Sequence, residues 1–293
     1  MNAKAILFVV LGACAAGFSA LWIAHERARP HRTRRIPSLL QLAIGFLTDF
    51  LDTLGIGSFA VTTSLFRMTR VVDDREIPGT LNVGHAIPTF AEAFIFVAVV
   101  DVDTTTLVSM IASAALGAWL GAGIVTRWPR RRIQIGMGSL LLVAALIMVL
   151  RQTGEVPAGG EALGLTDGRL LLAVAGNFVL GALMTLGIGL YAPCMILVSL
   201  LGMNDRSAFP IMMGSCALLM PAASIRFLGE GRYDLPSAIG LTVGGTPAVL
   251  VAGLIVKSLP LDVVKWLVVV VVVITAVSML RSAARTVSAP TEG

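Results

Sequence analysis

The sequence predicts an all-α integral membrane protein. Its body is two inverted repeats, each a glycine-broken re-entrant helix pair plus three transmembrane helices, with one extra N-terminal transmembrane helix. Only 13% of the 293 residues are charged and 56% are hydrophobic, with a mean hydropathy of +0.89. An ordinary soluble domain carries about 25% charged residues, so this chain lacks the polar surface to face water. Apolar runs of membrane-spanning length follow one another on short connections, and the string Thr-Leu-Gly-Ile-Gly occurs at both 53–57 and 185–189. At about 20 residues per crossing, the length accommodates roughly seven to nine crossings and no separate soluble catalytic domain.

The first apolar run, 5–24, has one lysine before it and five arginines between Arg27 and Arg35 after it. A signal peptide places its positive charge first, so the run reads as a spanning helix with its C-terminal end in the cytoplasm. The stretch Leu11-Gly12-Ala13-Cys14 resembles a lipoprotein cleavage box, but the run stays apolar well past it. Further runs cover 39–66, 78–100, 105–126, 133–150, 170–201, 209–228, 237–256 and 263–280. Two of them, 39–66 and 170–201, are too long for one crossing and too short for two. Each carries the Gly-x-Gly string in its middle, where residues without a Cβ admit positive φ and interrupt a helix. The three cysteines lie in apolar stretches, which argues against a disulfide framework or a zinc site. No cofactor is expected.

The shared string belongs to a longer repeat. At an offset of 132, Phe46 falls on Phe178, Asp73 on Asp205 and Pro78 on Pro210; one residue of slip then aligns Asp103 with Asp234 and Pro129 with Pro260. Residues 1–37 are therefore an N-terminal helix and basic cytoplasmic loop, and 38–151 are repeat 1. Residues 152–169 are an extracytoplasmic linker, and 170–293 are repeat 2 with a cytoplasmic tail. If each broken run returns to the side it left, the arginine-rich loops 67–76 and 127–132 and the tail all face the cytoplasm, as the positive-inside rule requires. Lys257 and Lys265 dissent, since this topology puts them outside. Three crossings per repeat then invert one copy relative to the other, giving a multi-pass protein of the inner (plasma) membrane with a cytoplasmic C-terminus.

Inverted repeats with broken helices are the build of secondary transporters, which hold substrate where the repeats meet. A half-helix starting at membrane depth aims free N–H groups at its neighbour. Gly55, Gly57, Ser58 and Thr62 at the first break, with Gly187, Gly189, Tyr191 and Cys194 at the second, are candidate substrate ligands. The blander reading is that the glycines permit close packing and the hydroxyls bond their own helix. Ionisable groups at membrane depth mark pathways or relays. Asp49 and Asp52 share a face of the first half-helix, and Asn82, His85, Thr89 and Glu92 form one stripe of the next helix. Asp49, Asp52, Asn82, His85 and Glu92 are thus candidates for coupling transport to protons, since burial favours the uncharged carboxyl. Capping or helix–helix bonding is the competing role for the aspartates and the histidine. Repeat 2 has Gly181, Met184, Gly214, Ala217 and Ser224 at the matching positions. Arg226 nearby could pair an anion or snorkel.

The paired Leu-Gly-Ile-Gly breaks at 54–57 and 186–189, Pro193 after the second, and the repeat spacing over 38–283 resemble the sulfite exporter TauE/SafE family of membrane transporters. That resemblance implies export of small sulfur-containing anions, sulfite or organosulfonates, driven by an ion gradient. The partners expected are the anionic substrate, protons and membrane lipid, with no nucleic acid; a homodimer stays open. The rival within transport is a carrier for a cation or amine held directly by the carboxylates. The rival outside it is an intramembrane enzyme, but Ser58 stands where an aspartyl intramembrane protease has Asp after Gly-x-Gly, and no His-Glu-x-x-His motif is present. The chain is therefore read as a non-enzyme.

Overall fold

The computed structural model describes residues 3–29, 36–121, 130–155, 160–184, 189–258 and 261–285. The helices are α1 (Ala3–Arg27), α2 (Leu39–Thr53), α3 (Ser58–Thr69), α4 (Ile77–Val99) and α5 (Thr104–Leu116), which runs on as a π-helical turn over Gly117–Gly121. They continue with α6 (Arg130–Gln152), α7 (Asp167–Met184), α8 (Tyr191–Leu200), α9 (Ala208–Glu230), α10 (Leu235–Ser258) and α11 (Leu261–Arg285). Among the described residues six helical spans are long and apolar enough to cross a membrane. This is a multi-pass, all-helical membrane protein.

Both double-length runs are interrupted. The first break spans residues 54–57, where Gly55 and Gly57 hold φ of +92° and +87°, a region that side chains with a Cβ avoid. At the second, α7 ends at Met184 and α8 starts at Tyr191; residues 185–188, with Gly187, lie outside the described residues. Helix α2 opens with a capping box, the Ser38 hydroxyl accepting from Gln41 N–H while the Gln41 side chain accepts from Ser38 N–H. Ser38→Ala is expected to lower stability by about 1 kcal/mol, read as a drop in thermal unfolding midpoint in detergent.

Contacts between helix ends sort the termini into groups. Gln41 Nε2 donates to Ser237 Oγ at 2.7 Å, and Asp234 N–H to Thr80 Oγ1 at 2.9 Å. The buried Tyr233 hydroxyl bonds Glu26 at the end of α1. The starts of α2, α4 and α10 and the end of α1 therefore share one end of the bundle. Elsewhere Asp103 N–H donates to Leu163 O, Leu165 N–H to Thr106 Oγ1, and Asn204 N–H to Ala162 O. These bonds gather the start of α5, the approach to α7 and the turn after α8. Arg131 and Gln134 at the start of α6 bond Ala283 O and Ser282 Oγ near the end of α11.

The main packing partners are α2 with α10, α5 with α7, α4 with α9 and α10, α5 with α9, and α6 with α11, while α1 lies across α4, α5 and α9. Exchanging α2–α6 for α7–α11 maps this set onto itself. Asp103 caps α5 through Thr106 N–H, and Asp234 caps α10 through Ser237 N–H, at matching positions. The seam between α2 and α10 is lined with glycine. A Cβ on Gly45 would sit 2.5 Å from Gly240 O, one on Gly240 would sit 2.8 Å from Gln41 Cβ, and one on Gly244 would overlap Leu42 O. Such close backbone approach is how helices associate where no hydrophobic force distinguishes them from lipid.

Helix α4 contains Pro88. Proline has no N–H, so the carbonyl four residues back loses its helical donor. That carbonyl, Gly84 O, accepts from Thr242 Oγ1 of α10 at 2.7 Å. An unbonded carbonyl at this depth would be costly, and a neighbouring helix supplies the missing bond. Arg226 is exposed and pairs with Glu230 at 3.0 Å near the helix end. Cys194 and Cys216 are buried free thiols, and Cys14 is exposed.

Candidate functional site

The end of α2, the start of α3, the middle of α4 and the start of α8 converge on one buried polar network. Asp49 and Asp52, three residues apart on α2, are 0% and 2% exposed, and His85 and Glu92 on α4 are both fully buried. His85 Nδ1 lies 2.8 Å from Asp49 Oδ1, and its Nε2 lies 3.0 Å from Thr62 Oγ1 on α3. Ser58 N–H, the first amide of α3, donates to Asp52 Oδ1 at 2.6 Å. Thr53 Oγ1 is 2.7 Å from Glu92 Oε1 and 2.8 Å from Asp49 O. The Tyr191 hydroxyl, on the first residue of α8, donates to Glu92 Oε2 at 2.9 Å and reaches Asp52 Oδ2 at 3.5 Å.

Three carboxyl groups and one imidazole thus share a buried site, and among the described residues none of the hydrogen bonds found there comes from Lys or Arg. Four bare charges would be untenable at this depth; the donors that offset them are two hydroxyls, one backbone N–H and the histidine. Asp49 Oδ2 has no hydrogen-bond partner and lies against Gly245 of α10, whose Cβ, if present, would overlap it. The counterpart of this pair under the repeat is Gly181 against Ala114 O. Where one half houses a carboxylate against a glycine, the other packs glycine against alanine. Among the described residues, no group of three or more His, Cys, Asp and Glu side chains is disposed to hold a metal ion.

Four of the five residues expected to form a coupling group, Asp49, Asp52, His85 and Glu92, are brought together. The fifth, Asn82, is half-buried nearly three turns from Glu92 and donates to Pro78 O of its own helix at 2.8 Å. Of the expected substrate ligands, Gly55 and Gly57 form the break, and a Cβ at Gly55 would meet Met195 Cε and Phe209 Cε1 at 3.5 Å. Ser58 N–H is taken by the chain's own Asp52. Thr62 bonds Ser58 O and faces His85, and Thr89 bonds His85 O. These hydroxyls follow the pattern of bonding one turn back on their own helix, and Thr62 does so while serving the network. Cys194 is fully buried in the main apolar cluster, and Gly189 lies half-buried just before α8. Sequence reasoning missed Thr53, although it opens the repeated string, and missed Gly245, which a helical reading of α10 treats as mere packing.

Residues 2–148 match the model of the family described as "Sulfite exporter TauE/SafE". That span is half of the chain, and the chain belongs to this family of membrane transporters. No curated protein and no solved structure matches it.

Proposed function

We propose that the chain is a secondary active transporter that exports small anions, sulfite or organosulfonates, with protons as the coupling ion. The observation that carries this reading is the Asp52 carboxylate seated on the first amide of α3, 2.6 Å from Ser58 N. A broken half-helix offers an anion its free N–H groups. Here a carboxylate from across the break already takes that place. Protonating Asp52 removes its charge and frees the amide, so a substrate anion is admitted when a proton is bound and opposed when it is not. Asp49, His85 and Glu92 are the neighbours through which that proton is shared. This resolves the conflict between an acidic cluster and an anionic cargo.

Inverted topology supports the same reading. The starts of α2 and α4 meet α10 at one end, so residues 39–69 leave and return on one side. The approach to α7 meets the turn after α8, so the second broken pair does likewise at the other end. Packing that survives exchange of the two halves is the expected imprint of a duplicated transporter. The basic segments around 27–35, 67–75 and 127–132 then lie in the cytoplasm with the C-terminal tail.

Charge movement in proteoliposomes on a solid-supported membrane tests the proposal, with sulfite, sulfate, taurine, sulfoacetate and a set of amines, with and without a pH gradient. A saturable anion current that grows as pH falls on the loading side is the expected result. Currents with amines alone would overturn it and make the three carboxylates direct ligands of a cation.

A further inference from the structure

We infer that Tyr191 is the conductor through which a proton passes between Glu92 and Asp52, and that the seating of α8 against α2 and α4 completes this path. The inference rests on the proton-coupled reading above. Every carboxyl group of the network belongs to the first half, on α2 and α4. Tyr191 is the second half's contribution, and it stands on the first residue of α8, directly after the second break. Its hydroxyl lies 2.9 Å from Glu92 Oε2 and 3.5 Å from Asp52 Oδ2. No direct hydrogen bond joins those two carboxyl groups. The phenol oxygen is the atom they have in common.

A phenol has one proton and accepts another hydrogen bond at the same oxygen. When Glu92 is protonated and Asp52 ionised, Glu92 donates to the phenol oxygen and Tyr191 donates onward to Asp52. Passing both protons one place along breaks the Glu92 O–H bond and the Tyr191 O–H bond. It forms a new O–H bond on Tyr191 and one on Asp52. Glu92 is left ionised, Asp52 neutral, and Tyr191 as it began, with no net charge created. The longer leg must close from 3.5 Å to about 2.7 Å, the ordinary O–H···O length, a side-chain adjustment. Asp52 is also the group that caps Ser58 N–H, so delivery of this proton is what frees the start of α3. The titratable groups within electrostatic reach of the phenol are Asp52 on α2, Glu92 on α4 and Cys216 on α9. The Cys216 thiol is turned to Met184 Sδ at 3.5 Å, leaving the two carboxyls as the proton's stations.

When α8 withdraws from α2 and α4, the phenol leaves with it and each carboxyl keeps its present proton. The path is therefore complete in the docked arrangement and cut in the separated one, which is what prevents a proton leak during the cycle.

Tyr191→Phe keeps the ring and deletes the conducting oxygen. In proteoliposomes, gradient-driven uphill flux of sulfite is expected to vanish while the variant unfolds in detergent at the wild-type midpoint. Retention of full gradient-driven flux overturns the inference, and so does a collapse of the unfolding midpoint along with the flux, which would make Tyr191 structural. Wild type that transports sulfite without response to a pH gradient overturns the proton-coupled reading itself, a result distinct from either. A second measurement does not depend on transport. The chain has two tyrosines, so growth on 3-fluorotyrosine gives two ¹⁹F signals, and Tyr233→Phe assigns them. The Tyr191 signal is expected to move with pH in the wild type and to move less and at a different pH in Glu92→Gln, where Asp52 alone still titrates beside it. A signal that ignores pH in the wild type, or that titrates unchanged in Glu92→Gln, overturns the relay.

Discussion

Replacing Glu92 by Gln is expected to abolish accumulation driven by a pH gradient while leaving the fold intact. Glutamine has the shape of glutamate and presents an amide oxygen and nitrogen to the same two hydroxyls, Thr53 at 2.7 Å and Tyr191 at 2.9 Å. What it cannot do is bind and release a proton. If one proton moves with each divalent sulfite and the membrane potential is held at zero, a difference of one pH unit supports about tenfold accumulation, because each unit is worth about 1.4 kcal/mol. In Glu92→Gln that ratio is expected to fall to one. The check is the steady-state ratio of labelled substrate inside and outside vesicles held at a fixed pH difference. A ratio that stays near the wild-type value would remove Glu92 from the coupling path.

The second large effect is structural. Gly244→Val is expected to destabilise the protein by about 3 kcal/mol or more, the upper part of the range for overfilling a packed interior. A Cβ there would overlap the Leu42 carbonyl, and Gly45 and Gly240 show that the whole seam between α2 and α10 is packed at backbone contact. Backbone cannot rotate away as a side-chain tip can, so α2 must shift as a body. Asp49 and Asp52 move with it, and the 2.8 Å contact to His85 is expected to break. Thermal unfolding in detergent measures the first consequence, and loss of pH-dependent charge movement in the surviving protein measures the second.

Much of the site was legible because helical spacing is arithmetic. Asp49 and Asp52 at i, i+3, and His85 and Glu92 seven residues apart, were placed on single faces before any contact was known, and the faces do meet. The same arithmetic carried Asn82 too far. A stripe gives angle around the axis but not depth along the bundle, and Asn82 sits low enough on α4 to bond Pro78 O. The glycine breaks were legible because Gly55 and Gly57 occupy backbone angles that few other residues accept. What occupies the start of α3 was not. An unsatisfied amide in the sequence looks like an invitation to a ligand, and only the fold reveals that Asp52, six residues earlier, curls back across the break to take it. The second half lacks the acidic residues of the first, and its sequence marks Tyr191 only as a candidate substrate ligand. Its hydroxyl instead joins the buried network, a meaning that depends on two carboxyls supplied from 99 and 139 residues away.

Helix α4 carries His85 and Glu92 on either side of Pro88, where its ladder of backbone bonds lacks one rung. A rod with a missing rung flexes there more readily than at any intact turn, so bending at Pro88 alters the separation of the two titratable groups while each keeps its own local geometry. The stiffness of that joint is set from outside the helix, by the Thr242 hydroxyl that fills in for the absent N–H at Gly84 O. Thr242 belongs to α10, the helix that also seats Asp49 against Gly245. One helix of the second half thus acts as a brace, fixing the distance between histidine and glutamate for as long as it stays in place.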